Sequence, residues 1–197
     1  MKKLLLSALA VCAFTFSNAQ ETETAESNGV AKGDMMISGA FGFETESYAD
    51  SKESSFEIAP RFSYFVSDNI AVGAKIGFMS MKGDNGTVDT LDAQTLSLGA
   101  FGRYYMTPAS KFSVFAELGF DYNSTDDKLA DAKLNGFDLG VGPGVSYFLS
   151  DAFAIEASWG MLNYATEKGD WTGAESTDTF GLGLDMRDLT FGLAYKF

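Results

Sequence analysis

The sequence predicts an all-β fold: a closed antiparallel up-and-down transmembrane β-barrel of about eight strands. Three observations predict it. From Met35 onward apolar residues alternate with small or polar ones at period two; the apolar face of these segments carries no charge; and the connections alternate between short and long.

Lys2 and Lys3, an apolar run from Leu4 to Phe16, and small residues at Ser17-Asn18-Ala19 read as a secretory signal peptide over residues 1–19, cut before Gln20. Cys12, the only cysteine, lies inside it, so the exported chain has no thiol for disulfides, metal or nucleophilic attack. A lipid anchor on Cys12 is disfavoured, because Val11 is bulky where a small residue is expected. Removal takes two of 14 basic residues and none of the 27 acidic ones, leaving 12 against 27 and a net charge of −15. Such a chain repels nucleic acid. Beyond the signal no apolar run approaches the ~20 residues of a membrane helix, so any membrane crossing must use strands.

Residues 20–33 are polar, acidic and aperiodic, and read as a flexible leader. The barrel is expected over 34–197. Its apolar faces are Met35, Ile37, Phe41 and Phe43; Phe56 to Val66; Ile70 to Phe78; Leu96 to Tyr104; Phe112 to Tyr122; Phe137 to Leu149; Phe153 to Met161; and Leu189 to Phe197, every second residue in each. Phe180, Leu182 and Leu184 alternate with the opposite parity to Leu189 onward. A bulge or turn around 185–188 is therefore expected, with this segment extending the eighth strand above the membrane.

The short connections are Ser67-Asp68-Asn69, Thr107 to Lys111 and Ser150-Asp151-Ala152; the long ones are Glu44 to Ser55, Met81 to Gln94, Asn123 to Gly136 and Leu162 to Thr179. Short turns on one side and long loops on the other suit a bacterial barrel. An internal repeat, Tyr64-Phe65-Val66-Ser67, Tyr104-Tyr105-Met106-Thr107 and Tyr147-Phe148-Leu149-Ser150, recurs at spacings of 40 and 43 residues, one hairpin plus one loop. Pro60 and Pro143 each remove a ladder donor, and a bulge is expected near Pro143, between Gly142 and Gly144.

Alternation does not say which face is inside, since a secreted soluble lipocalin-like binding barrel alternates as well. Composition decides. The second face carries Gly42, Gly73, Gly77, Gly140, Gly142, Gly144, Ser38, Ser146 and Gly192, which suits a crowded lumen better than a wetted surface. It also carries near-balanced charges, Arg61, Lys75, Arg103 and Lys196 against Glu57, Glu117 and Glu156, with Asp121 and Asp138 near the rim. These are expected to pair across the lumen as a structural network. A Lys or Arg on the other face would cost about 2–4 kcal/mol at the bilayer midplane. Tyr64, Tyr104, Tyr147, Tyr195 and Phe197 toward one end, and Phe43, Phe78, Tyr122 and Trp159 toward the other, suit interfacial girdles. Lipid offers an open strand edge no partner, so the first and last strands must pair.

With this pattern in place, the eight amphipathic strands and the terminal Leu189-Thr190-Phe191-Gly192-Leu193-Ala194-Tyr195-Lys196-Phe197 resemble the outer membrane β-barrel family that includes OmpA-like, OmpX-like and OmpW-like proteins. The signal ending Ser-Asn-Ala-Gln resembles those of Bacteroidota. The resemblance implies a Gram-negative outer membrane location. It also implies that Phe191, Leu193, Tyr195 and Phe197 form an assembly signal for the barrel assembly machinery. Other expected partners are outer-membrane lipid and lipopolysaccharide; the barrel is expected to be a monomer without cofactors.

The sequence contains no histidine. Outer-membrane phospholipases, lipid A deacylase and palmitoyltransferase barrels, and aspartate-histidine proteases use histidine for proton transfer, so none of those mechanisms is available. A histidine or thiolate metal site is excluded from the exported chain, and the runs Asp84 to Asp92 and Asp126 to Asp131 lack the ligand spacing of a calcium loop. Glu57, Glu117 and Glu156 read as counterions rather than catalytic carboxylates. The expected function is a non-enzymatic structural or surface-interaction barrel presenting acidic loops outside the cell. The alternatives are a narrow pore or small apolar-molecule transporter, and then the soluble lipocalin-like barrel.

Overall fold

The computed structural model describes residues 29–183 and 189–197; the segment read as a signal peptide, most of that read as a leader and the expected bulge around 185–188 lie outside the described residues. Ten strands form one antiparallel sheet: β1 (Met35–Tyr48), β2 (Ser51–Phe65), β3 (Ile70–Asp84), β4 (Asp89–Tyr105), β5 (Phe112–Asp127), β6 (Ala132–Phe148), β7 (Phe153–Trp159), β8 (Leu162–Gly169), β9 (Ser176–Leu182) and β10 (Leu189–Lys196). Consecutive strands pair from β1 to β6, β6 pairs with both β7 and β8, β9 pairs with β8, and β10 pairs with β7 and β1. The result is a closed eight-stave barrel, in which β7 and β8 share one stave and β9 and β10 another.

The stave shared by β7 and β8 has a physical cause. Between Gly144↔Ser158 and Val141↔Leu162, β6 advances three residues while its partner advances four, which is a one-residue bulge at Gly160-Met161. The bulge expected beside Pro143 thus falls on the strand next door. At Pro60 the ladder from β2 to β3 skips Ala59 and Pro60 without changing register.

Three of the four expected long loops are largely strand, and the fourth is strand at both ends. β1 and β2 pair up to Tyr48↔Ser51, so only Ala49 and Asp50 turn, and Ala49 takes the left-handed conformation at φ 52°. β5 and β6 pair out to Asp127↔Ala132. Polar residues suffice here, because these hairpins extend past the hydrocarbon and need only satisfy each other's backbone groups.

The orientation follows the reading of the two faces. Phe62, Leu118 and Phe191 point outward and are exposed, while Lys75 points into the lumen. No charged residue lies on the outward face between the two aromatic levels of any stave described.

Candidate functional site

The lumen is the place where chemistry collects, and its two halves differ. At the periplasmic end inward-facing rings fill it. Phe65, Tyr105, Phe115 and Phe148 are fully buried, with Phe101, Met36, Ala71, Ala154 and Ala194 around them. Tyr105 lies 5.3 Å from Phe65 and 5.2 Å from Phe115, ring centre to ring centre. Two inward glycines make room for this floor: a Cβ on Gly73 would run into the Phe62 carbonyl and the Phe101 ring, and one on Gly144 into the Phe115 ring.

Below the rings, residues 29–34 cross the periplasmic mouth. Val30 N–H donates to Pro108 O at 2.7 Å, Gly33 N–H to Phe65 O at 2.9 Å, and Lys32 N–H to Asp68 Oδ1 at 3.0 Å. Lys196 Nζ donates to Gly29 O at 2.6 Å and lies 3.6 Å from Asp34. The end of the stretch read as a leader is thus docked across the floor.

On the floor sits a buried ion network. Glu117 is bridged by Arg61 on one oxygen and by Arg103 Nε at 2.6 Å on the other. Arg103 Nη1 reaches Glu156 Oε1 at 2.8 Å, and Ser146 Oγ donates to the same oxygen at 2.9 Å. The guanidinium carbons stack on the floor, Arg61 4.2 Å from the centre of Phe101 and Arg103 4.3 Å from that of Phe115. Cation–π contact adds to the ion pairs in fixing them.

Above the network lies a cavity of about 690 Å³, lined by Ser38, Gly42, Glu57, Gly77, Ser97 and Asn123 among others. Lys75 pairs with Asp121 at 2.7 Å on its wall. Of the seven charges expected to form a network, the structure joins Arg61, Arg103, Glu117 and Glu156. Lys75 stands apart with Asp121; Glu57 makes no ion pair among the described residues; and Lys196 serves the strap below the floor.

The sequence reading missed the floor rings, although the Tyr-Phe-Val-Ser repeat contains three of them. In each copy the first aromatic faces lipid, the second (Phe65, Tyr105, Phe148) enters the floor, and the hydroxyl fastens the turn. Ser67 Oγ accepts from Ile70 N–H at 3.1 Å, Ser150 Oγ from Phe153 N–H at 3.1 Å, and Thr107 Oγ1 from Val114 N–H at 3.2 Å. Of the terminal strand, Phe191, Leu193, Tyr195 and Phe197 all face outward and are exposed.

Fold and lumen together define an integral outer-membrane barrel. The family model for the outer membrane protein beta-barrel domain matches residues 6–197, and the chain belongs to that family. Among solved structures it is similar to the outer membrane protein OprG from Pseudomonas aeruginosa, with 19% identity, 86% of this chain and 98% of that chain covered, and a TM-score of 0.55. Neisserial surface protein A (NspA) matches with 18% identity, 85% and 99% coverage, and a TM-score of 0.50. No curated protein matches the chain. The two structures share its fold, and the outer-membrane location follows from the family.

Proposed function

We propose that this protein is a non-enzymatic barrel with a structural and surface-interaction role, holding rigid acidic hairpins outside the cell. The observation that carries this reading is the floor. Four fully buried rings, an ion network above and a strap below fill the lower lumen among the described residues, and this argues against an open pore. An eight-stave barrel has little more interior than its side chains fill. The test is planar-bilayer recording of the refolded protein. A structural barrel gives a silent bilayer; steady unitary openings abolished or altered by Glu117→Ala or Arg103→Ala would overturn it.

One observation favours a second reading, passage of small apolar molecules. The β1–β10 ladder spans only Met36↔Lys196 to Gly39↔Leu193, and the cavity reaches Phe41 and Phe191 on the outward face. Phe41 is 79% exposed and Phe191 64%, against 43% for Phe62 on the closed wall. A crosslink between cysteines at Phe41 and Phe191 that slows uptake of an apolar solute into vesicles would support this route over the first.

We also infer that the terminal strand is the segment read by the barrel assembly machinery. Phe197→Ala lowers the yield of inserted barrel in that case, and unchanged yield removes the idea.

A further inference from the structure

The seam of this barrel, where β1 meets β10, is a neighbouring stave pair that no hairpin turn joins. Its ladder begins where Met35 and Phe197 exchange backbone hydrogen bonds, Met35 N–H to Phe197 O at 3.1 Å and Phe197 N–H to Met35 O at 2.9 Å. It stops at Gly39↔Leu193, whereas on its other side β1 stays paired with β2 up to Tyr48↔Ser51. Strands this far apart in sequence meet against the entropy of closing a long loop. A short ladder without a turn is therefore a place where the wall opens locally before it unfolds.

The strap, residues 29–34, crosses the periplasmic end of this seam and is tied to both sides of it. On the β1 side it runs straight into Met35 and extends the ladder with β2, Gly33 N–H donating to Phe65 O and Phe65 N–H to Asp34 O, both at 2.9 Å. On the β10 side the inward side chain of Lys196 is only 12% exposed. Its Nζ donates to Gly29 O at 2.6 Å, lies 3.6 Å from Asp34 Oδ2 and sits 5.7 Å from the centre of the Phe148 ring. Asp34 Oδ2 also accepts the Ala31 N–H at 2.9 Å, so the strap's own turn holds the carboxylate in place.

The strap is anchored on the far side of the mouth as well. Val30 N–H donates to Pro108 O at 2.7 Å, and the Val30 side chain is buried in the cluster of Phe65, Tyr105 and Phe148. Gly29 allows this approach, because a Cβ there would run into the Pro108 carbonyl. Lys196 meets its two acceptors only when β10 lies beside β1, and a charge-assisted hydrogen bond in a part-buried site is stronger than a neutral one.

We propose that the strap and Lys196 form a lock on the barrel seam. They pin β10 to β1 at the periplasmic end, so fraying starts at the Gly39↔Leu193 end and stops at the strap. The lock serves a silent and a conducting barrel alike. It is tested on the full barrel folded in phospholipid vesicles, by hydrogen exchange read in peptides by mass spectrometry. Residues 35–39 and 193–197 report the seam; residues 118–122 and 137–141, paired between β5 and β6, report the barrel as a whole. K196M should speed seam exchange about tenfold, the size of a lost hydrogen bond to a charged group, and leave the β5–β6 segments unchanged. Gly29→Val displaces the strap while altering no strand residue, and should do the same. Heat-dependent gel mobility shows which variants are folded, and Gly29→Val decides the matter if K196M is not. Unchanged seam exchange in Gly29→Val, or a rise of equal size in the seam and the β5–β6 segments, overturns the lock.

Discussion

The periplasmic half of this barrel is built like a protein core and the extracellular half like a lined vessel. Both halves use the same inward parity, but below Arg103 the inward positions carry rings and above it glycine, serine and solvated carboxylates. The difference teaches where rigidity comes from in a barrel too small to leave a wide lumen. Lipid contributes little to holding the staves in register, since hydrocarbon is as apolar as the outward side chains. Inside, dispersion contacts and desolvated ion pairs hold the lower half, whereas the upper half adds to its backbone ladders only isolated polar pairs, such as Lys75 with Asp121, Ser97 with Asn123 and Thr95 with Thr125.

Glycine substitution separates the halves most sharply. Gly73→Leu forces a side chain into the Phe62 carbonyl and the Phe101 ring, so no heat-shifted folded band should form. Gly42→Leu in the upper half meets nothing nearer than the Glu57 Cβ at 3.8 Å, and should fold with normal mobility. Equal behaviour of the two variants would erase the distinction.

Charge removal comes next. Arg103→Leu leaves Glu117 with one partner and Glu156 with only Ser146, in a buried setting, and should cost about 3–5 kcal/mol in urea unfolding from lipid vesicles. Lys75→Met strands Asp121 on the wall of a cavity that water enters, and should cost about 1 kcal/mol. The same floor predicts a change in permeation: the double variant Tyr105→Ala, Phe115→Ala should convert a silent bilayer into a conducting one, whereas Glu57→Ala should not.

The sequence showed the outer face plainly because a single solvent, hydrocarbon, imposes one rule on every outward position. Period two and the absence of charge suffice to recover the staves and their orientation. The inner face obeys no such rule. A ring at Phe65 or Phe148 beside an outward Tyr64 or Tyr147 reads as part of an aromatic end, and only packing against Tyr105 and Gly144-seated Phe115 reveals a floor. Pairing was half legible: sign balance brings Arg61, Arg103, Glu117 and Glu156 together, but nothing in spacing shows that Lys196 would be claimed by Gly29. The long polar segments were read as loops because strands in water need no apolar face, so their pairing leaves no periodic trace.

The smallest test concerns the turns at the two ends. At the periplasmic end Ser113 is fully buried, and its Oγ reaches Thr107 O at 2.6 Å and Ser110 O at 3.1 Å, so the β4–β5 turn is fastened from within the floor. At the extracellular end Asn85 Oδ1 accepts from Thr87 and Val88 N–H at 3.1 and 3.0 Å, out in water. Ser113→Ala removes a buried hydroxyl whose carbonyl partners water replaces poorly, and should cost about 1–2 kcal/mol. Asn85→Ala exposes amides that water satisfies at once, and should cost about 0.5 kcal/mol. If urea unfolding ranks them the other way, the periplasmic turns are not anchored by the floor, and the core-like half ends at the rings themselves.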